Sequence, residues 1–351
     1  MLAQKEIVKI TDVINQLVEE KDLKADVLTE IVCEGMLTAY QKKYPDLELQ
    51  VKVDQDSQGL SVWVKKTVVA AVVDEDHEIS LRKARSSDAK VEVGAELWLP
   101  FEGSVGRVEI LKARQVISGK IKGLEAKAVW EAFKDKEGEI IHGTVHKREH
   151  GGVLVKVQDV LAFLPKSLSV PGETLVPGHP IKALLKEVLA EPRGENQLIL
   201  DRASEYFLEA LFELEVPEVF ESLVEIKKVV RIAGYKSKIA VTSHDSNVDP
   251  VGTCVGVGGA RIKPILKELG GEKIDIVQWS DSVERFVQDA LKPAKINRVE
   301  VLDDRFAKVW LDEDQRSIAI GKMGQNISLA SKLTGVEIDI AENAGDISIV
   351  E

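Results

Sequence analysis

One short plan occurs twice in the second half of this 351-residue chain, and it restricts the fold more than any other feature. Gly256-Val257-Gly258-Gly259 and Gly321-Lys322-Met323-Gly324 stand about 65 residues apart. Each follows a helix-patterned stretch and opens a second amphipathic helix that ends in glycine. A strand comes next, Lys273-Ile274-Asp275-Ile276 in the first copy and Glu337-Ile338-Asp339-Ile340 in the second. Upstream of each corner lie two alternating apolar–polar runs, VEIKKVVRIAG with SKIAVTSH and INRVEVLDD with FAKVWLDE, the period expected of strands. The order helix, strand, strand, helix–break–helix, strand therefore recurs. It predicts two small α+β modules in tandem.

A G-x-x-G corner between two helices has a physical use. With no side chain at the glycines, a sugar–phosphate backbone can approach closely, and amides at the following helix N-terminus face its phosphates. KH domains clamp about four nucleotides of a single strand in this way. The candidate contact residues are Gly256, Val257, Gly258 and Gly259 with Arg261 and Lys263, and Gly321, Lys322, Met323 and Gly324 with Gln325 and Asn326. The plainer alternative for one such motif is an ordinary helix corner with glycine caps. Two copies, each leading into the same helix and strand, favour the clamp. A dinucleotide fold competes for the first corner, since Gly256-Val257-Gly258 begins a G-x-G-x-x-G. Its last position is Arg261, however, and no strand pattern precedes it.

Residues 139–202 change character, with five short alternating segments punctuated by Gly143, Gly151 and Gly152. Such a run predicts a small closed barrel of the OB type. Barrels of this kind stack bases on rings and hold phosphates with cations, which makes Lys147, Arg148, His150, Phe163, Lys166 and Arg202 candidates. Ahead of the barrel, helical and strand patterns alternate, with the long charged stretch from Ile110 to Gly138 reading as a connecting helix. The stretch ISLRKARSSDAKVEVGAELWLPFE, from Ile79 onward, reads as a loop leading to another strand.

Charge tempers the nucleic-acid reading. The whole chain carries −12, and only residues 221–300 are net basic, with 13 Lys/Arg against 11 Asp/Glu. Modest affinity with a steep salt dependence is expected. No apolar run approaches the roughly 20 residues of a membrane span, and the N-terminus lacks a secretory pattern. The lone thiols Cys33 and Cys254 fit a reducing cytosol. His142, His146 and His150 are spaced by four but fall in a strand pattern, so they would not share a face as metal ligands. No catalytic motif is present, and neither a cofactor nor a metal is expected.

The segments ISLRKARSSDAKVEVGAEL, ARQVISGKIKGLE, EIIHGTV, QLILDRASEYFLEALFELEVPEV, GTCVGVGGARI, LKELGGEKIDIVQW and SIAIGKMGQNISLASKLTGVEIDI, in that order, resemble the bacterial NusA family of transcription termination/antitermination factors. The resemblance implies a multi-domain α+β chain. It comprises an N-terminal domain that docks on RNA polymerase (1–136), an S1 barrel (137–203) and two tandem type II KH domains (204–286 and 287–351). It further implies a cytoplasmic, non-enzymatic protein that holds nascent single-stranded RNA and modulates pausing, termination and antitermination. The implied partners are RNA polymerase core and other Nus-type elongation factors. Three departures stand out. Val257 and Gly258 occupy the places where the family usually has a basic residue, Met323 stands where glycine is common, and His150 stands where many S1 domains have an aromatic. The acidic C-terminal repeats of some members do not follow Glu351, so the RNA face is expected to be open. A rival reading, an RNA-processing enzyme carrying S1 and KH modules, would need a catalytic domain that residues 1–130 are too short to supply. Association with ribosomes is a third.

Overall fold

The computed structural model describes residues 24–54, 59–87, 90–193, 196–303 and 305–341. The helical patterning ahead of residue 24 lies outside them. The chain divides into two compact units, Met1–Ala128 and Val129–Glu351.

In the first unit, helix α1 (Ala25–Lys43) is followed by strands β1 (Leu49–Val53) and β2 (Leu60–Val69), paired antiparallel. Strand β3 (Glu78–Ser80) adds parallel to β2, and β4 (Glu96–Pro100) pairs with β2 antiparallel. Leu28 and Val32 of α1 pack with Ile117 and Ile121 of the long helix α3 (Arg107–Phe133). The segment expected to be a loop after Ser80 is instead helical at its start, as α2 (Leu81–Ser87). Its Leu-Arg-Lys-Ala-Arg run favours helix, and Ala84 is buried against Val68 and Val91.

The second unit opens with the barrel. Strands β5 (Ile140–Glu149), β6 (Gly152–Val157), β7 (Val160–Pro165), β8 (Pro180–Arg193) and β9 (Asn196–Asp201) close in the order β5-β6-β7-β9-β8. The alternation places Val153, Val155, Ala162, Leu164, Leu185, Leu198 and Leu200 inside, with Phe133 joining them. Each large apolar side chain so buried contributes roughly 1.5–3 kcal/mol.

The first α+β module follows: α4 (Glu205–Glu215), α5 (Pro217–Phe220), β10 (Val224–Ile232), β11 (Lys236–Ser243), α6 (Pro250–Val255), α7 (Ile262–Glu268) and β12 (Lys273–Gln278). The second repeats the plan with α8 (Val283–Ala290), β13 (Arg298–Asp303), β14 (Phe306–Trp310), α9 (Glu313–Ile320), α10 (Gln325–Thr334) and β15 (Glu337–Ile340). Local sequence sets the helix starts. Ser204 and Ser282 accept from the amides of Phe207 and Arg285, and Asp249 accepts from Val251 ahead of Pro250; all three satisfy donors a helix start leaves open. In both sheets the first pair is antiparallel and the second parallel. Even the register repeats, with Lys238 opposite Asp275 and Lys308 opposite Asp339.

The two modules share a core. One face of the first sheet (Val229, Ile239, Val241) packs on Phe207, Leu211 and Ile265 of its own helices. The opposite face (Val230, Ala240, Val277) joins Val287, Leu329, Ala330 and Leu333 of the second module. The modules are thus held together by apolar packing, to which Leu291, Ala294 and Ile296 of the segment between them contribute.

Candidate nucleic-acid interface

The first corner leaves α6 at Gly256, whose backbone has φ 73° and ψ 165°. The second leaves α9 at Gly321 with φ 71° and ψ 175°. Both lie where essentially only glycine is at ease. Each chain then makes one tight turn, Val257–Gly259 and Lys322–Gly324. Its third corner position is left-handed in both copies, Gly258 at φ 61° and Met323 at φ 56°. The turns therefore repeat angle for angle, although glycine fills that position in one copy and methionine in the other.

Both corners face outward. Val257 is 97% exposed and Met323 87%, and Lys263 and Lys322 are exposed beside them. A Cβ added at Gly258 or Gly324 would meet nothing within 4 Å, so the bare backbone there is open to a ligand. Gln325 begins the helix after the second corner, and its Oε1 is buried without a hydrogen-bond partner.

The fifth residue after each leading glycine anchors the corner from behind. In the first copy this is Arg261, which donates to the Thr253 carbonyl (2.7 Å) and pairs with Glu218 (2.7 Å). Burial pushes the Glu218 carboxyl up, but the Arg261 guanidinium and a backbone amide together hold it below its ordinary range. Arg261, expected to supply the charge for a phosphate, thus has its guanidinium committed to the protein. In the second copy the place belongs to Asn326, which is buried and donates to Ala319 O (3.0 Å) and, at 3.4 Å, to Ile318 O and Leu291 O. Asn326, expected as an RNA contact, is instead an internal brace. In each case a polar group directly behind a helix end is drawn to its free carbonyls.

The barrel candidates separate in the same way. His150 and Lys166 are exposed on a concavity of about 490 Å³ that Arg148 also lines. Phe163 is half-buried, lies outside the barrel core and packs its ring against Gly151 and Gly152. Lys147 is exposed and pairs with Glu149 (3.1 Å). Arg202 requires a correction. It is 3% exposed and is held by Glu173 (3.0 Å), Glu268 (2.6 Å) and the Lys182 carbonyl. Those bonds tie the barrel to α7, and no face of the guanidinium is left for RNA. The side chains of Arg231 and Glu272, both fully buried, pair at 2.9 Å in the next layer, and Arg231 also donates to the Arg202 carbonyl (2.8 Å).

Three residues that the sequence reading passed over complete the region. Lys236 and Lys238 of β11 both reach Asp275 Oδ2 at 2.7 Å, and Lys236 also donates to Asn326 Oδ1 (3.0 Å). Burial pushes the Lys238 ammonium below its ordinary value, and Asp275 opposes the shift. The available signal was a Lys-Ser-Lys run at the head of an otherwise apolar strand.

Comparison with known proteins agrees with this architecture. The profile of the NusA N-terminal domain matches residues 9–127, that of the NusA-like first KH domain 202–279, and that of the NusA-like second KH domain 283–346. The transcription termination/antitermination protein NusA of Thermus thermophilus is 37% identical over 348 residues, covering 95% of this chain and 90% of that protein. The chain belongs to the NusA family. Its two copied modules are accordingly the KH domains of that family, a fold that binds RNA. The NusA of Bacillus subtilis is 34% identical with 90% of its length covered. The NusA of Rickettsia conorii is 36% identical, and this chain spans 67% of it. No helix among the described residues is long and apolar enough to cross a membrane.

Proposed function

We propose that this chain is a non-catalytic transcription factor. It docks on RNA polymerase through its N-terminal domain and holds nascent single-stranded RNA on the barrel and the two KH corners, thereby modulating pausing, termination and antitermination. The observation that carries this reading is the pair of outward-facing glycine corners with the same backbone angles. RNA contact is assigned to Gly256, Val257, Gly258, Gly259 and Lys263 in the first clamp, and to Gly321, Lys322, Met323, Gly324 and Gln325 in the second. On the barrel it is assigned to Lys147, His150, Phe163 and Lys166. Arg202, Arg261 and Asn326 serve as the frame. The family names of the relatives support the role in termination and antitermination.

The test places negative charge where the phosphates would lie, at positions whose backbone tolerates any residue. Val257→Asp combined with Lys322→Asp is expected to lower affinity for single-stranded RNA at least tenfold in a fluorescence titration, with unchanged melting. Unchanged affinity would overturn the placement. Binding should also weaken steeply with salt, since phosphate contacts release counterions. Co-sedimentation of the full chain with polymerase core, compared with ribosomes, tests the docking partner.

A further inference from the structure

The structure assigns Lys236, a residue of the first KH module, the task of holding the second clamp in shape. Gly321 is pressed against Asn326, and a Cβ at the glycine would stand 2.7 Å from the Asn326 Cβ and 3.0 Å from its backbone nitrogen. The course of the corner therefore depends on where Asn326 sits. That amide is buried and satisfied in one orientation only. Its nitrogen faces the carbonyls of Leu291, Ile318 and Ala319, and its oxygen faces the Lys236 ammonium. Rotating it by half a turn would set an oxygen against three carbonyls and a nitrogen against a cation.

The first clamp has no such dependence. Arg261 fills the matching place and finds both partners, Thr253 and Glu218, within its own module. Asparagine is shorter and uncharged, and the second clamp obtains its cation from across the joint. Lys236 is positioned for this by Asp275, 2.7 Å away on β12. A continuous path, Asp275–Lys236–Asn326–Gly321, thus links a strand of the first module to the glycine corner of the second. Lys236 is a positioning residue, and it acts on RNA only through Asn326. Replacing it leaves the Asn326 oxygen buried without a donor, which is costly enough to shift or hydrate the amide.

This role rests on the RNA-clamp reading, and the experiment separates the two. In the 351-residue chain with the first clamp silenced by Val257→Asp, Lys236→Met is expected to weaken binding of a short single-stranded RNA about fivefold to tenfold. Lys236→Arg, which keeps a cationic donor, should restore it to within about twofold. With the second clamp silenced by Lys322→Asp, Lys236→Met should leave affinity unchanged. Hydrogen exchange supplies a readout free of RNA: amides of Gly321–Gly324 should exchange faster in Lys236→Met, and those of Gly256–Gly259 should not. Equal losses in both backgrounds, or unaltered exchange at the second corner, would overturn the proposal. If exchange changes as expected while neither aspartate substitution affects RNA, the clamp reading fails and the brace stands.

Discussion

Gly256 lies so close to Arg261 that a Cβ on the glycine would stand 2.9 Å from the Arg261 Cγ and 3.1 Å from its backbone nitrogen. Contact and torsion angle therefore both require glycine here, whereas at Gly258 only the angle does. Gly256→Ala is expected to cost about 2–3 kcal/mol and Gly258→Ala about 1 kcal/mol. Urea unfolding of the two variants measures the difference. The same crowding makes aspartate at Gly256 or Gly321 a poor probe of RNA binding, because the fold would suffer together with the site. Val257 and Lys322 are the positions that test binding alone.

Met323 holds a left-handed backbone that its counterpart Gly258 adopts without strain. A side chain in that region costs about 1–2 kcal/mol, and glycine returns part of this through the greater freedom of its unfolded chain. Met323→Gly should therefore stabilise the protein by about 0.5 kcal/mol. An unfolding midpoint that fell instead would show that the exposed methionine makes contacts that stabilise the corner.

Arg202 joins the barrel to the first KH module through Glu173 and Glu268. Arg202→Met leaves two carboxylates without their cation in a poorly solvated site. A loss of about 3–5 kcal/mol is expected, visible as a lower melting temperature. Lys166→Ala, on the exposed rim, should leave melting unchanged and lower RNA affinity only.

Cys254 is buried in the core of the first module, and burial pushes its thiol up to about 12. In the unfolded chain the thiol ionises near 9.0. Between these values the unfolded state releases a proton that the folded state keeps, so stability falls as pH rises above 9 and is fully present below it. The wild type should lose about 1 kcal/mol more than Cys254→Ala between pH 8 and pH 10, read from urea midpoints at the two pH values. Native protein should also resist alkylation at Cys254 near pH 8.

The sequence determined by itself the features whose causes lie within a few residues. Glycine at 256, 259, 321 and 324 imposes the two corners, because the crowding that excludes a side chain at each leading glycine comes from the fifth residue onward. Alternation of period two set the barrel and sheet strands, and copied order revealed two modules of one kind. Only the tertiary structure decided the use of each polar side chain beside these motifs. A cation near a clamp serves a phosphate or a carboxylate according to which anion lies in reach. For Arg202 that anion is Glu268, 66 residues away, and the donor to Asn326 is Lys236, 90 residues away. Periodicity and spacing carry no information about such pairs, since they form only after the sheets have stacked and the low-dielectric joint between them has made leaving a charge or an amide unpaired more costly than bonding it.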